Sequence, residues 1–323
     1  MKSIAVISYC ICLMVLVGCT KTEQAATAPK MTQTAAPAAT VAAPVASSQP
    51  AGASAPASVT FIAAKVKNAK DVLGTPVVDA LKLVYPDLKT ADAPPADNAP
   101  YIGMVESADG PLAIIETGAV KSIKNCAALL IREESSADMG EGEQMVEWTA
   151  RLVVFEKKDN KLSLRANQQL VEFNHSFSSR EDTGSQLSLT SYKAAPEGAI
   201  LEVRLYKSKG SDLGGSVQGL AALYALDETG FAEMLSLSDA YTASSSISYD
   251  RGKEDLREES TESLVQVGDK LNKGLFDLVV VTTTCKRSPE GRDAKASGTS
   301  YRFDGNRYLG EGPSKKRYEA KCD

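Results

Sequence analysis

The sequence predicts a mainly β protein: antiparallel, repetitive sheets, arranged either as a propeller-like stack or as a sandwich, with one N-terminal helix following a disordered tether. Three observations carry this. Short apolar or alternating runs bounded by turn residues dominate from Pro111 onward. Three Asp-led turns, at Asp159, Asp227 and Asp304, each separate two such runs. A helical spacing of apolar residues appears convincingly once, near 75–86.

Taken in order, the helix comes first. Thr75 can cap it, Pro76 suits the first helical position, and Asp79 favours the positive end of the helix dipole. Val77, Val78, Leu81, Val84 and Tyr85 then recur at helical spacing, and Pro86 ends the run. After a proline-rich loop over 91–100, strands are expected at 111–116, 126–132, 149–156 and 162–173, the last two joined by Lys158-Asp159-Asn160-Lys161. Further strands are expected at 199–207, 220–225, 231–237, 275–284, 299–303 and 307–310. Val279, Val280 and Val281, followed by three threonines, make 275–284 the strongest of them.

These pieces suggest a repeat of strand, polar excursion, strand, Asp-led turn and returning strand. The excursions are 133–143, 208–215 and 286–297, and a preceding strand at 186–192 or 262–267 makes each unit four-stranded. Leu275-Phe276-Asp277-Leu278-Val279-Val280 and Tyr301-Arg302-Phe303-Asp304-Gly305-Asn306-Arg307-Tyr308 resemble the blades of FG-GAP-type β-propellers of bacterial envelope proteins. That family's calcium-binding loop of alternating acidic residues is missing, so calcium binding is not implied. Three units are also fewer than the four or more blades of a usual closed propeller.

The N-terminus gives an address. Met1-Lys2 is a short positive start, and 4–17 is apolar apart from Ser8. This run is shorter than the roughly 20 residues a membrane-spanning helix needs. It ends Leu16-Val17-Gly18-Cys19, which resembles the lipobox of bacterial lipoproteins. The resemblance implies cleavage after Gly18, diacylglycerol on the Cys19 sulfur and a further acyl chain on its amino group. Two or more chains anchor stably in a bilayer. Thr20 stands where an Asp would favour inner-membrane retention, so the resemblance implies a lipid-anchored protein of the outer membrane facing the periplasm. The expected organisation is thus a signal peptide over 1–18, lipidated Cys19 and an Ala/Pro/Thr linker over 19–58, and a mainly β domain over 59–323. The linker carries prolines at 29, 37, 44, 50 and 56 and no aromatic residue. Such a composition buries too little apolar surface to offset chain entropy.

Composition excludes some roles. The net charge of −5, one more negative once Lys2 is removed, argues against nucleic acid as a partner. An aromatic content of 6% weakens a sugar-stacking role. After signal cleavage and lipidation the remaining cysteines are Cys126, Cys285 and Cys322, in an oxidising compartment. Cys285–Cys322 is the favoured bridge, because both lie in the last unit and a bond there pins the C-terminus. Cys126–Cys285 is the alternative. Cys126, within Cys126-Ala127-Ala128-Leu129-Leu130-Ile131, reads as a buried small residue.

No spacing of Cys and His suggests zinc, and no cofactor motif is present. The single histidine, His175, has Ser176 beside it in sequence, which makes no dyad. Ser191 and Lys193 share one face of an expected strand. The carboxylates Glu133, Glu134, Asp138, Glu141 and Glu143 lack a regular oxygen-ligand spacing and read as a solvated loop. The charged stretch 251–262 reads as a short exposed helix or a solvated connection. The basic tail 286–321 suits either an anionic surface or ordinary solvent. Two functions remain open at this point. One is a non-enzymatic binding or assembly protein that contacts another envelope protein through polar excursions and sheet edges. The other is an envelope hydrolase, or a hydrolase inhibitor, whose site is assembled from residues distant in sequence.

Overall fold

Turn chemistry sets the strand registers. Asp159 and Asn160 both take positive φ, 48° and 60°. This is the geometry whose twist matches paired strands in a two-residue hairpin. It joins β7 (Glu143–Lys158) to β8 (Lys161–Ser178). The other two Asp-led turns work differently. Asp227 accepts from the backbone N–H of Thr229 and of Gly230, both at 2.7 Å. Asp304 accepts from those of Asn306 and Arg307, at 2.8 and 2.9 Å. In both, a carboxylate replaces a backbone acceptor. They join β11 (Gly214–Leu226) to β12 (Phe231–Asp250), and β15 (Gly291–Phe303) to β16 (Tyr308–Pro313).

The computed structural model describes residues 58–63, 66, 71–95, 98–140, 143–178, 185–211, 214–250, 253–320 and 322, all within the unit Gln49–Asp323. The signal peptide, Cys19 and the linker up to residue 57 lie outside the described residues, as does Glu141. The remaining elements are β1 (Thr60–Ile62), α1 (Val77–Leu81), β2 (Lys89–Ala91), β3 (Tyr101–Asp109), β4 (Leu112–Glu116), β5 (Ala119–Ile123), β6 (Cys126–Gly140), β9 (Gln186–Ala195), β10 (Gly198–Ser211), β13 (Lys253–Asn272) and β14 (Leu275–Ser288). Among the described residues no helix is long and apolar enough to cross a membrane.

The protein is mainly β, with antiparallel sheets and, among the described residues, one short helix. A six-stranded sheet runs β2-β1-β3-β6-β7-β8, and a ten-stranded sheet runs β16-β15-β14-β13-β12-β11-β10-β4-β5, with β9 paired to β10. Two sheets packed face to face make the sandwich rather than separate blades. The first expected unit falls in the six-stranded sheet, and the other two merge in the ten-stranded one. Between the sheets lie Cys126, Ala128 and Leu130 of β6, Leu152 and Val154 of β7, Leu201, Val203 and Leu205 of β10, and Tyr224 of β11. Alternate residues face the opposite way, as the pleat requires. Ala127, Leu129, Ile131, Val153 and Phe155 form a second core with Ala80, Leu81, Val84 and Tyr85 from the helical segment.

The helix is much shorter than 75–86. Pro76 rather than Thr75 occupies the cap position, with no side-chain cap, and Thr75 pairs its backbone with Val72 instead. Beyond Leu81 the chain continues in turns, Tyr85 N–H donating to the Leu81 carbonyl at 2.8 Å. Packing on the sheet, not helix propensity, fixes this segment.

The third core explains the shape of the large sheet. Strand β12 pairs with β11 over 231–246, but with β13 only over 241–250 against 253–262. The first half of β12 and the second half of β13 therefore part company. The layer β13–β16 folds back over the face of β10 and β11. Ile200, Leu223, Ala225, Met234, Leu278, Val280 and Phe303 fill the space between. At the end that carries the Asp159, Asp227 and Asp304 turns, here the near end, the molecule is thus layered and apolar. At the far end the ten-stranded sheet remains continuous through its bend.

The three polar excursions are not loops. They are strand: β6 runs on to Gly140 and β7 begins at Glu143, β10 runs to Ser211 and β11 begins at Gly214, and β14 runs to Ser288 and β15 begins at Gly291. The charged stretch 253–262 is likewise strand, part of β13. Cross-strand ladders satisfy the backbone there without burying apolar side chains. A sequence reading that looks for apolar periodicity cannot see such segments.

A candidate binding trough at the far end of the second sheet

Along β10, alternate residues lead from core to site. Ile200 belongs to the third core. Glu202 and Arg204 come next, both buried and ion-paired with each other. Arg204 Nη2 also donates to the Ser263 carbonyl on β13 at 2.7 Å, tying the two layers together. Burial, with the charge and hydrogen bond of Glu202, raises the Tyr192 hydroxyl pKa above the ordinary tyrosine range. Tyr206 follows, its ring 5.3 Å from that of Tyr241 in an edge-on contact. Gly219 lies between them in register, and a Cβ there would press on both tyrosines. Ser208 and Gly210 then open into a cavity.

This cavity has a volume of about 410 Å³. Its walls come from six consecutive strands, β10 to β15, and from Cys322. One register row across them reads Ser208, Val217, Ala243, Ser260, Cys285 and Ala294. The side chains are small, so the bent sheet leaves space instead of filling it. The neighbouring rows carry charge: Lys286 pairs with Glu259 at 2.7 Å and Arg287 with Glu258 at 3.3 Å. The result is a trough of hydroxyls and small apolar groups between paired charges. The lining, hydroxyls and charged pairs beside small apolar groups, suits an extended ligand that carries polar groups.

A strap from the C-terminus brings Cys322 to the cavity wall. Cys285 is joined to Cys322, with their Cα atoms 5.9 Å apart. Tyr318 packs onto Gly298, where a Cβ would run into its ring. Ser314 N–H donates to the Gly298 carbonyl at 2.8 Å, and the Ser314 and Tyr318 hydroxyls are 2.7 Å apart.

The other residues singled out by sequence fall elsewhere. Cys126 is free and buried; its thiol contacts the Gly110 carbonyl at 2.6 Å, and burial pushes its pKa up to about 11. Such a thiol is inert near neutral pH. Tyr101, Glu134, Trp148 and His175 form one cross-strand row in the first sheet. The His175 ring stands 5.6 Å from Trp148 and 5.2 Å from Phe177. The hydroxyl that approaches it is not Ser176 but Ser185, at 3.4 Å from Nε2. Ser185 Oγ also accepts from the Ser208 N–H at 3.2 Å. Ser191 and Lys193 are exposed on β9.

The solvated acidic loop needs correction at two positions, for Glu133 and Glu134 are buried. Glu133 accepts from Arg151 Nε at 2.6 Å and from the Tyr85 hydroxyl at 2.7 Å. Glu134 accepts from the Tyr101 hydroxyl at 2.7 Å and pairs with Arg132. Gly103 makes room for the Glu134 carboxyl, which occupies the place of its missing side chain. Among the described residues no cluster of three or more His, Cys, Asp and Glu is arranged to hold a metal.

The trough-lining residues Gly210, Gly215, Ser216, Ser244, Ser245 and Ser260 were not foreseeable as site residues. Their only sequence signal is a density of Gly and Ser inside segments that also alternate charges, which reads equally as loop. No protein-family model matches the chain, and neither a curated protein nor a solved structure matches it.

Proposed function

We propose that this chain is an envelope lipoprotein, anchored in the outer membrane through acylated Cys19 and facing the periplasm, whose β body binds a partner without transforming it. Leu16-Val17-Gly18-Cys19 and the linker after it support the anchor. The trough supports the binding role. It offers six strands' worth of hydroxyls and paired charges along a bent sheet, held by a disulfide-latched strap. Four of its seven charged side chains pair with one another, Lys286 with Glu259 and Arg287 with Glu258, which suits a selective polar contact more than acid–base chemistry. An extended, polar segment of an envelope protein fits this lining, and nucleic acid does not, given the negative net charge.

A photo-crosslinking residue placed at Ser244 or Ser260 in cells tests this. The expected result is one discrete envelope-protein adduct from each of these positions and none from Ser163, which is exposed on β8. Cys19→Ala should abolish palmitate incorporation and the adduct together. The same adduct pattern from all three positions would refute the trough as the contact. The alternative reading, an envelope hydrolase or hydrolase inhibitor, has the Ser185–His175 approach in its favour. Covalent labelling of Ser185 by a fluorophosphonate, absent in Ser185→Ala, would transfer the assignment to it.

A further inference from the structure

The trough has a rim at β15. This strand pairs with β14 over 291–301 without a register shift. On its other side β16 pairs only with 299–303. Ser314 adds one bond there, its N–H donating to the Gly298 carbonyl. The chain then leaves the edge, Tyr318 packing onto Gly298 and Cys322 bonding to Cys285. Among the described residues no strand pairs with 291–297 on this outer side. The unpaired groups can be named. In an antiparallel pair the N–H and C=O of one residue point the same way, and the direction alternates along the strand. The Gly298 carbonyl points outward, so Arg292, Ala294 and Ala296 present their N–H and C=O outward too. Those of Asp293, Lys295 and Ser297 serve the ladder to β14. Arg292 and Ala294 are exposed.

The side chains add a charge pattern. Arg292 stands directly opposite Arg287, and Arg287 directly opposite Glu258. Like charges in that position repel. Arg287 is compensated by Glu258 at 3.3 Å, whereas Arg292 has no ion pair among the described residues. The row therefore reads acid, base, base, and lacks a carboxylate on its outer side. On the other face Asp293 and Lys295 pair at 3.0 Å. Ala294 and Ala296 follow Arg292 on its own face and leave room for a neighbour's side chain. The edge of β8 differs, because that strand departs from β7 between Leu170 and His175, and such a bulge blunts an edge.

We propose that an extended acidic segment of a partner protein adds to β15 as a further strand along 291–297, with a carboxylate opposite Arg292 and a β-branched residue opposite Ala294. The inference rests on the trough being the partner contact and specifies how the partner is held at its rim. Main-chain bonds to the outward groups of Arg292, Ala294 and Ala296 supply affinity, and the alternate side chains supply selectivity. The guanidinium of Arg292 gains the counter-charge that its own sheet does not provide.

A fluorescein-labelled peptide, Gly-Val-Thr-Glu-Thr-Val-Gly, presents this pattern in either strand direction. Anisotropy titration of the mature, detergent-solubilised protein tests it against the same peptide with Lys for Glu. The Glu peptide should bind and slow amide exchange over 291–297. The Lys peptide should bind about tenfold more weakly or worse, the scale of a lost charge-assisted hydrogen bond. Arg292→Glu should reverse that preference. Ala294→Pro removes an outward N–H that the β14 ladder does not use, a place where an edge strand accepts proline, and should abolish binding of both peptides. If Ala294→Pro does not melt like the parent, the reversal in Arg292→Glu decides alone. Binding that survives Ala294→Pro but is lost when Ser260→Trp fills the trough keeps the trough and overturns strand addition. No binding of the Glu peptide, or equal binding of the two peptides, also overturns it. The trough as partner contact then stands or falls separately, on the crosslinks from Ser244 and Ser260.

Discussion

The near and far ends of the same strands are held together by different means. At the near end, β10 buries Leu201, Val203 and Leu205 on one face and Ile200 on the other, so burial of apolar area stabilises the pairing. At the far end, 206–219, 241–262 and 282–297 contain no buried apolar side chain among the described residues, and the ladder itself with its cross-strand pairs does the holding. If straight, a 20-residue strand such as β12 would span about 65 Å, more than one apolar core can cover. The difference teaches that rigidity for folding and surface for binding have been assigned to opposite ends of one set of strands. Between them lies a belt of buried charge, Glu133–Arg151 in the first sheet and Glu202–Arg204 in the second.

The largest expected effect breaks that belt. Arg151 is 1% exposed and binds Glu133 at 2.6 Å and Asn167 at 3.1 Å. Arg151→Ala leaves Glu133 buried without its counter-charge, which costs about 3–5 kcal/mol. The urea midpoint should fall accordingly. Glu133→Leu combined with Arg151→Met should recover most of the loss, because an apolar pair needs no counter-charge. If the double variant is no more stable than Arg151→Ala, the belt is not an isolated ion pair but part of a wider polar network through Tyr85 and Thr149.

A smaller effect should be confined to the far end. Cys285→Ser opens a loop spanning 37 residues of sequence, for which the chain-entropy estimate is about 3–4 kcal/mol. Measured loss should be less than this in global unfolding, since the strap is tied to the body at β14 and β15. Amide exchange should sharpen the contrast: faster in 282–297 and 314–320, unchanged in 126–131 and 200–205. Uniform acceleration along the chain would mean that near and far ends unfold as one unit and that the division drawn above has no energetic counterpart.

What was legible follows the same division. Hairpin turns at Asp159, Asp227 and Asp304 and the strongest strand, Val279 to Thr284, could be read because turn chemistry and β-branched runs are local signals. The far ends could not. In Ser208 to Gly219, or Ser244 to Ser263, the residues are those of loops, and only a partner strand from another part of the chain makes them sheet. Topology was hidden for a related reason. Residues 112–123 join the second sheet through single parallel bridges, Leu112 to Ala199 and Ile114 to Leu226, and nothing local in 112–123 announces a partner that far along. Glu133 looked solvated because its counter-charge, Arg151, sits on the next strand rather than beside it in sequence. The trough inherits all of these difficulties, being built from strands whose sequence says loop.

The smallest effect tests whether a near-end turn is set by its own residues or by the sheets around it. Asp159 and Asn160 hold positive φ at no support from the core, and both are exposed. Asn160→Gly turns the pair into Asp-Gly, the preferred sequence for this hairpin, and should change stability by no more than a few tenths of a kcal/mol, since lost strain offsets added unfolded-state entropy. Asn160→Ala should cost about 1 kcal/mol, the penalty of left-handed backbone in a residue without a local hydrogen-bonding side chain. Equal melting temperatures for the two variants would show that β7 and β8 are registered by the core alone, through Leu152, Val154 and Leu170. In that case the turn that announced the hairpin in sequence would report the fold without determining it.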